Sequence, residues 1–366
     1  MSAVAHINRI GTAVPPHDVH GAFVRFASRQ LTDERRRRLF ERMVARCGIE
    51  RRFSFLRPVE GPDGQITDAE DFYRTDAWPG TAARMERYEA DAPVLALQAL
   101  DALDLQSERS LITHLVVASC TGFVAPGLDQ LIVARAGLNP SVERTVVGFM
   151  GCYAAVNSLR LAHHIVRSEP DARVLVVTLE LCTLHLQPSQ DVDQVLSMLL
   201  FGDGCAAALV SADAQGLALL DFRAAAIADS ARDITWRIGD QGFDMHLSGA
   251  VPGKIARALA AVREAAAPDG LLRGAPPEDY GLWAVHAGGR TILDAVETAF
   301  QLAPAALEHS RAILREFGNM SSATLMFVLQ RILKGANGRR DDNRAGLAVA
   351  FGPGLAAESF RFRIAG

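Results

Sequence analysis

"VVGFMGCYAAVNSLRLAHHIV", residues 146–166, sets an apolar strand against an amphipathic helix with a cysteine at the join. "RTVVGF" (144–149) is β-branched and apolar, which suits a strand. From Cys152 to about Val166, residues Ala155, Val156, Leu159, Ala162, Ile165 and Val166 recur at helical spacing. Gly151 lets the backbone approach its surroundings closely just before the helix. A thiol in the first turn of a helix faces unpaired N–H groups, which favour the thiolate. A cysteine is equally a small buried hydrophobe. Position alone leaves both readings of Cys152 open.

The same strand–helix rhythm extends outward in both directions. "THLVVAS" (113–119), "RVLVVTLE" (173–180) and "CAAALVSAD" (205–213) read as strands, and a helix follows the Pro126-Gly127 turn. After about residue 220 the pattern restarts. "GLWAVHAG" (281–288) is a strand running into a turn, "RTILDAVETAF" (290–300) a helix, "SSATLMFVLQRILKG" (321–335) a long apolar helix, and "AGLAVAFGPG" (345–354) a strand ending in a glycine turn. Such alternation predicts an α/β protein whose sheet is covered on both faces. Two related βα halves, 1–220 and 221–366, are expected to share one body, since no low-complexity linker divides them.

The bulk properties exclude several classes. A net charge of -4 supplies no global basic field for nucleic acid. No apolar run is long enough for a membrane span. The N-terminus lacks the basic-then-apolar form of a secretory signal, so the cytoplasm is the expected location. The five cysteines (47, 120, 152, 182 and 205) form no C-x-x-C pair and are expected to be free thiols. Cys182 and His185 come nearest to metal-ligand spacing but lack a second pair, so no metal is expected. "QLTDERRRRLFERMVARCG" (30–48) reads as a basic helix with a solvated face.

Two more residues stand in suggestive settings. His286 ends an apolar strand and precedes two glycines, at the kind of strand end where α/β sheets gather functional groups. A satisfied core histidine would fit the same place. Asn319, in "EFGNMSSATLMFVL", opens an apolar helix, where asparagine also serves well as an N-cap.

Together, "GFMGCYAAVNSLRLA", "FGDGCAAALV", "WAVHAGGRTILDAVE", "REFGNMSSATLMFVL" and "GLAVAFGPGL" resemble the thiolase superfamily, and within it the type III polyketide synthases, the chalcone-synthase-like enzymes. The resemblance runs from about residue 40 to the C-terminus. It implies a five-layered αβαβα fold, a homodimer, and acyl-CoA and malonyl-CoA as substrates with no further cofactor. It assigns Cys152 as nucleophile, His286 as its base and ion-pair partner, and Asn319 as a second donor. Thiolases use a second cysteine near the C-terminus, whereas none follows Cys205 here. Initiating ketoacyl synthases carry "HQAN" where this chain has "HAGG".

The resemblance also marks a pocket. Phe201 matches a gating phenylalanine, and Met245 stands where the plant enzymes have a second one. Cys120, Thr121, Cys182 and Ser321 fall at cavity positions. Ala125 replaces a residue that the plant enzymes push into the partner's cavity. Arg42 and Arg46 match CoA-phosphate positions, and Leu39 departs from a third. The softer side chains at 245, 120 and 182 point to an aliphatic starter. The expected activity is iterative condensation to a tri- or tetraketide, released as a pyrone or cyclised to a resorcinol- or phloroglucinol-type product. A single-round ketoacyl synthase and a non-catalytic acyl-CoA-binding homologue are the alternatives.

Overall fold

The computed structural model describes residues 3–74, 77–336 and 345–365. In chain order the first half comprises β1 (His6–Ala13), β2 (His17–Asp18), α1 (His20–Gln30), α2 (Glu34–Val44), β3 (Phe53–Ser54), β4 (Pro58–Glu60), β5 (Ile66–Asp68), α3 (Thr81–Leu103), β6 (His114–Ser119), α4 (Leu128–Ala136), β7 (Glu143–Gly148), α5 (Ala154–Ser168), β8 (Val174–Leu181), α6 (Val192–Leu200) and β9 (Asp203–Ser211). The remainder comprises β10 (Gly216–Ala226), β11 (Ile234–Gly239), β12 (Gly242–Leu247), α7 (Val251–Ala265), β13 (Leu282–Val285), α8 (Arg290–Phe300), α9 (Glu308–Phe317), α10 (Ser322–Ala336), β14 (Ala345–Gly352) and β15 (Ala356–Ala365).

Nine strands join in the order β13-β14-β15-β10-β1-β9-β8-β6-β7. They fall into two blocks, β7-β6-β8-β9-β1 and β10-β15-β14-β13, stitched where His6 and Ile7 pair with Ala218 and Leu217. Strands β7, β6 and β8 run parallel, as do β13 and β14.

Residue alternation along the strands builds the layers. Val174 and Val176 of β8 enter a central core, while Leu175, Val177 and Leu179 enter an outer one with α3. In β14, Ala348 and Ala350 face the same central core, and Leu347, Val349 and Phe351 face a second outer core with α7 and α8. The central core is filled by α5 and α10, which therefore pack between the two blocks. The result is the expected αβαβα stack. Both faces of β6, β8 and β9 are buried, which is why their sequences are apolar runs and not alternating ones. Helix α10 is enclosed for the same reason and shows no polar stripe over Ala323–Leu329.

The basic helix begins later than the sequence suggests, at Glu34, because the Asp33 carboxylate accepts the Arg36 N–H at 2.9 Å and caps it. The C-terminal strand turns through Pro353–Leu355 into an additional strand, β15, that pairs along its length with β14 and β10. Among the described residues no helix is long and apolar enough to cross a membrane.

Candidate active site

The turn after β7 is bent by two left-handed residues, Phe149 (φ 58°) and Gly151 (φ 75°). A Cβ on Gly151 would lie 2.4 Å from Pro353 Cδ, so glycine is required by both conformation and contact. Reciprocally, Gly352 sits so close to the Tyr153 ring that a Cβ there would meet it at 2.5 Å. The glycine turns of the two halves thus interlock beneath Cys152.

Cys152 lies in a 3₁₀ turn, Gly151–Tyr153, ahead of α5 and not within its first turn. Its thiol is buried and donates to Ser321 Oγ at 3.7 Å. Burial pushes it up to about 11; hydrogen bonds with Ser321 and Asn319 oppose the rise, and the nearby Glu180 adds to it. The turn's N–H groups favour the thiolate, as its place in the sequence implies, but they do not decide its state. Desolvation exceeds the effect of the turn's N–H groups.

His286 follows β13, its backbone held by donation to Val349 O at 2.9 Å and by acceptance from Gly288 N at 2.8 Å. The ring is buried, and among the described residues neither nitrogen has a hydrogen-bond partner. Burial alone pulls it down to about 3, which favours the neutral imidazole for as long as no thiolate stands beside it. A satisfied core histidine would have used those nitrogens.

Asn319 is fixed by a parallel bridge to Phe201: its N–H donates to Leu200 O at 2.9 Å, and Gly202 N donates to its carbonyl at 3.0 Å. Its Oδ1 accepts from Ser321 N at 2.8 Å, and its Nδ2 donates to Gly288 O at 3.2 Å. It therefore both caps the entrance to α10 and reaches the histidine loop. Phe201, the residue after α6, is positioned by the same bridge.

Cys152, His286 and Asn319 line one largely apolar cavity together with Phe201, Met245, Cys120, Thr121, Cys182 and Ser321. Ala125 is exposed outside it. Arg42 lies in a surface depression of α2 with Arg35 and Arg38, and Arg46 lies just beyond that helix; neither lines the cavity.

Four further residues shape the site without having been singled out in the sequence for that role. Glu180 is buried at the end of β8 and accepts from Cys120 N (3.0 Å), Cys120 Sγ (3.2 Å), Thr121 Oγ1 (2.9 Å) and Ser322 Oγ (2.6 Å). Its signal was a carboxylate ending an apolar strand. Arg52, buried against the Phe23 ring at 4.8 Å, donates to the carbonyls of Met198 and Phe201 and to His20 Nδ1. Nothing in the arginine-rich sequence around it distinguished it. Trp236 walls the cavity, its indole N–H fixed on Cys120 O at 2.7 Å. His185 bonds Thr121 O through Nε2 and accepts Phe243 N at Nδ1, stacked on that ring at 4.2 Å. Both of its nitrogens are occupied, which leaves none for a metal. Among the described residues no group of three or more acidic, histidine or cysteine side chains could hold a metal ion.

The sequence matches the family description "Chalcone and stilbene synthases, N-terminal domain" over residues 2–214 and the corresponding C-terminal domain over 222–365. The chain belongs to the chalcone and stilbene synthase family. It is 33% identical to bisdemethoxycurcumin synthase of Oryza sativa subsp. japonica over 97% of this chain and 91% of that one. It is 36% identical to "Alpha-pyrone synthesis polyketide synthase-like Pks18" of Mycobacterium tuberculosis, over 68% of this chain and 64% of the relative, which is less than two-thirds of that protein's length. The crystal structure of PKS-I from the brown alga Ectocarpus siliculosus superposes with a TM-score of 0.87 at 28% identity, covering 100% of this chain and 99% of that one. The thiolase-like fold and the type III polyketide synthase kinship are thereby established for this chain.

Proposed function

We propose that the chain is an iterative condensing enzyme that extends an acyl-CoA starter with malonyl-CoA. The observation that carries this reading is the meeting, in one apolar cavity, of a buried thiol, an imidazole with both nitrogens unpartnered, and an asparagine amide. Cys152 loses its proton to His286 and attacks the starter thioester carbonyl. The CoA thiolate leaves and takes that proton from the imidazolium. Malonyl-CoA then releases carbon dioxide, leaving its bonding pair in an enolate. N–H donors from His286 and Asn319 hold the enolate oxygen, and losing one such donor costs about 3 kcal/mol. The enolate carbon attacks the acyl thioester and frees the Cys152 sulfur for reloading. Asparagine suits this position because it donates without becoming a competing base.

Phe201 and Met245 act as the gate between the CoA side and the product side, with Arg42 and Arg46 holding CoA phosphates outside. Cys120, Thr121, Cys182 and Ser321 shape the chamber for the growing chain. The apolar lining contributed by α1, including Ala22, Phe23 and Phe26, favours an aliphatic starter. Products are tri- or tetraketides released as pyrones or as cyclised resorcinol- or phloroglucinol-type aromatics. Residues 1–220 supply the nucleophile, and 221–366 supply the histidine and the asparagine.

The active form is a homodimer. The edge strand β7 leaves Glu143–Val146 exposed, with Val146 at 54%, and Phe123 and Met150 are exposed as well, an open edge that a second copy would cover. Ala125 lies close by in sequence, where it would face the partner.

Labelled malonyl-CoA offered with acyl-CoAs of increasing length tests the reading. Several two-carbon additions per starter are expected. One addition would make the chain a single-round synthase, and no carbon dioxide release would make it an acyl-CoA binder.

A further inference from the structure

Strands β7, β6 and β8 run parallel side by side, and a cysteine follows the C-terminal end of each. Cys120 comes directly after Ser119 of β6, Cys182 directly after Leu181 of β8, and Cys152 four residues after Gly148 of β7. Two of these thiols meet at one side chain. Cys120 Sγ lies 3.5 Å from Ser321 Oγ and Cys152 Sγ 3.7 Å from the same oxygen. Both cysteines line the cavity. The backbone of Cys120 is held at both ends, its N–H by Glu180 and its carbonyl by Trp236, so side-chain rotation is the freedom that remains to it.

We propose that Cys120 and Cys152 form a peroxide-sensitive dithiol that closes to a reversible disulfide. In the first step Cys152 sulfur attacks hydrogen peroxide, giving a sulfenic acid and water. In the second, Cys120 sulfur attacks the sulfenic sulfur. The Cys120 proton passes to Glu180, which already accepts it as a hydrogen bond at 3.2 Å, and the sulfenic hydroxyl leaves with that proton as water. Two thiols are oxidised and one peroxide is reduced to two waters. The bridge blocks acylation of Cys152 and guards it against irreversible oxidation to the sulfinic acid. Its effect on turnover rests on the reading of Cys152 as the nucleophile; the bond itself does not.

The purified full-length protein is treated with hydrogen peroxide, then mapped by non-reducing peptide mass spectrometry and assayed before and after dithiothreitol. Wild type is expected to yield one linked peptide pair containing residues 120 and 152, lighter by two hydrogens, and to recover most of its activity on reduction. Cys120→Ser, compared with its own untreated activity, is expected to gain two oxygens on Cys152 and to stay inactive. Absence of the 120–152 link in wild type, or a link from 120 to 182 in its place, overturns the proposal. A 120–152 link that leaves turnover intact upholds the dithiol and refutes the nucleophile assignment, so the two failures are distinguishable.

Discussion

Replacing His286 by glutamine tests whether the imidazole is what ionises the buried thiol. The position of Cys152 at about 11 arises from burial, neutral hydrogen bonds and Glu180, with no contribution from a charged histidine. It is therefore the value expected once the imidazole is gone. At about pH 7 such a thiol is ionised in roughly one molecule in 10⁴. If an imidazolium in the wild type stabilises the thiolate by about 4 kcal/mol, an effect within the range that His⁺ partners produce, the thiolate fraction rises about 10³-fold. A less basic thiolate is also a weaker nucleophile, by about 20-fold over three units at a Brønsted slope near 0.45. The net expectation is alkylation of Cys152 by iodoacetamide about 40-fold slower in His286→Gln than in wild type near neutrality. In the variant the rate should climb about tenfold per pH unit towards 11. Peptide mapping follows Cys152 apart from the four other thiols. A variant alkylated within about twofold of wild type at neutral pH would refute the assignment of His286 as proton partner.

Asn319→Asp puts a carboxylate against the developing enolate and should reduce malonyl-CoA decarboxylation by at least about 10²-fold; unaltered carbon dioxide release would remove Asn319 from the mechanism. Gly151→Ala must place a Cβ at φ 75° and 2.4 Å from Pro353 Cδ, so it should lower thermal stability by about 1–3 kcal/mol and reduce acyl loading; a melting temperature equal to wild type would mean that the interlock yields freely. Trp236→Ala opens the wall beside Cys120 and should shift the products, read by mass spectrometry, towards additional extensions; an unchanged product length would place the limit elsewhere. Burial pulls His185 and His286 down to about 3 and His20 and His163 to about 4, so the unfolded chain binds protons near 6.5 that the native state refuses. Their contribution to stability is complete above about 6.5 and is lost as pH falls towards 3, against the opposite trend of Asp203, which is raised to about 7. With His6 and His309 also lowered, the histidines outnumber the raised carboxyls Asp203, Glu180 and Asp91, and the melting temperature should fall between about pH 7 and pH 5; a flat or rising curve would contradict the buried, neutral histidines.

What could be read from the chain depended on how uniform each environment is. Strands β6 and β8 and helix α8 were legible because their burial is uniform or strictly periodic, and the helix at 290–300 has the bounds its sequence implies. Strand β10 was missed because it passes from the core to the surface within eleven residues, so neither an apolar run nor a clean alternation survives. The hairpin β11–β12 did carry a signal, with Ile234, Trp236 and Ile238 alternating ahead of a turn at Gly242. At the site, Cys152, His286 and Asn319 were found through their flanking glycines and their joint resemblance to a family. Their ionisation was not legible. A helix terminus is visible in sequence, whereas the desolvation that outweighs it comes from residues of both halves.

A joint between the halves explains why a carboxylate is buried beside so apolar a chamber. Ser322 opens α10, and Asn319–Ser321 lie directly before it, so the first turn of this helix fixes the amide in relation to the sulfur. The helix belongs to the second half, while Cys120, Thr121 and Glu180 belong to the first. Glu180 accepts from Ser322 on one side and from Cys120 and Thr121 on the other, so a single buried carboxylate ties β6, β8 and α10 at one point. An isolated buried anion would be costly, yet this one has four donors and lies near the N-terminus of α10, whose dipole favours negative charge. Its charge also raises the Cys152 thiol. The joint that aligns the two halves therefore works against the thiolate, and in the proposed mechanism it is the unpartnered imidazole of His286 that must offset it.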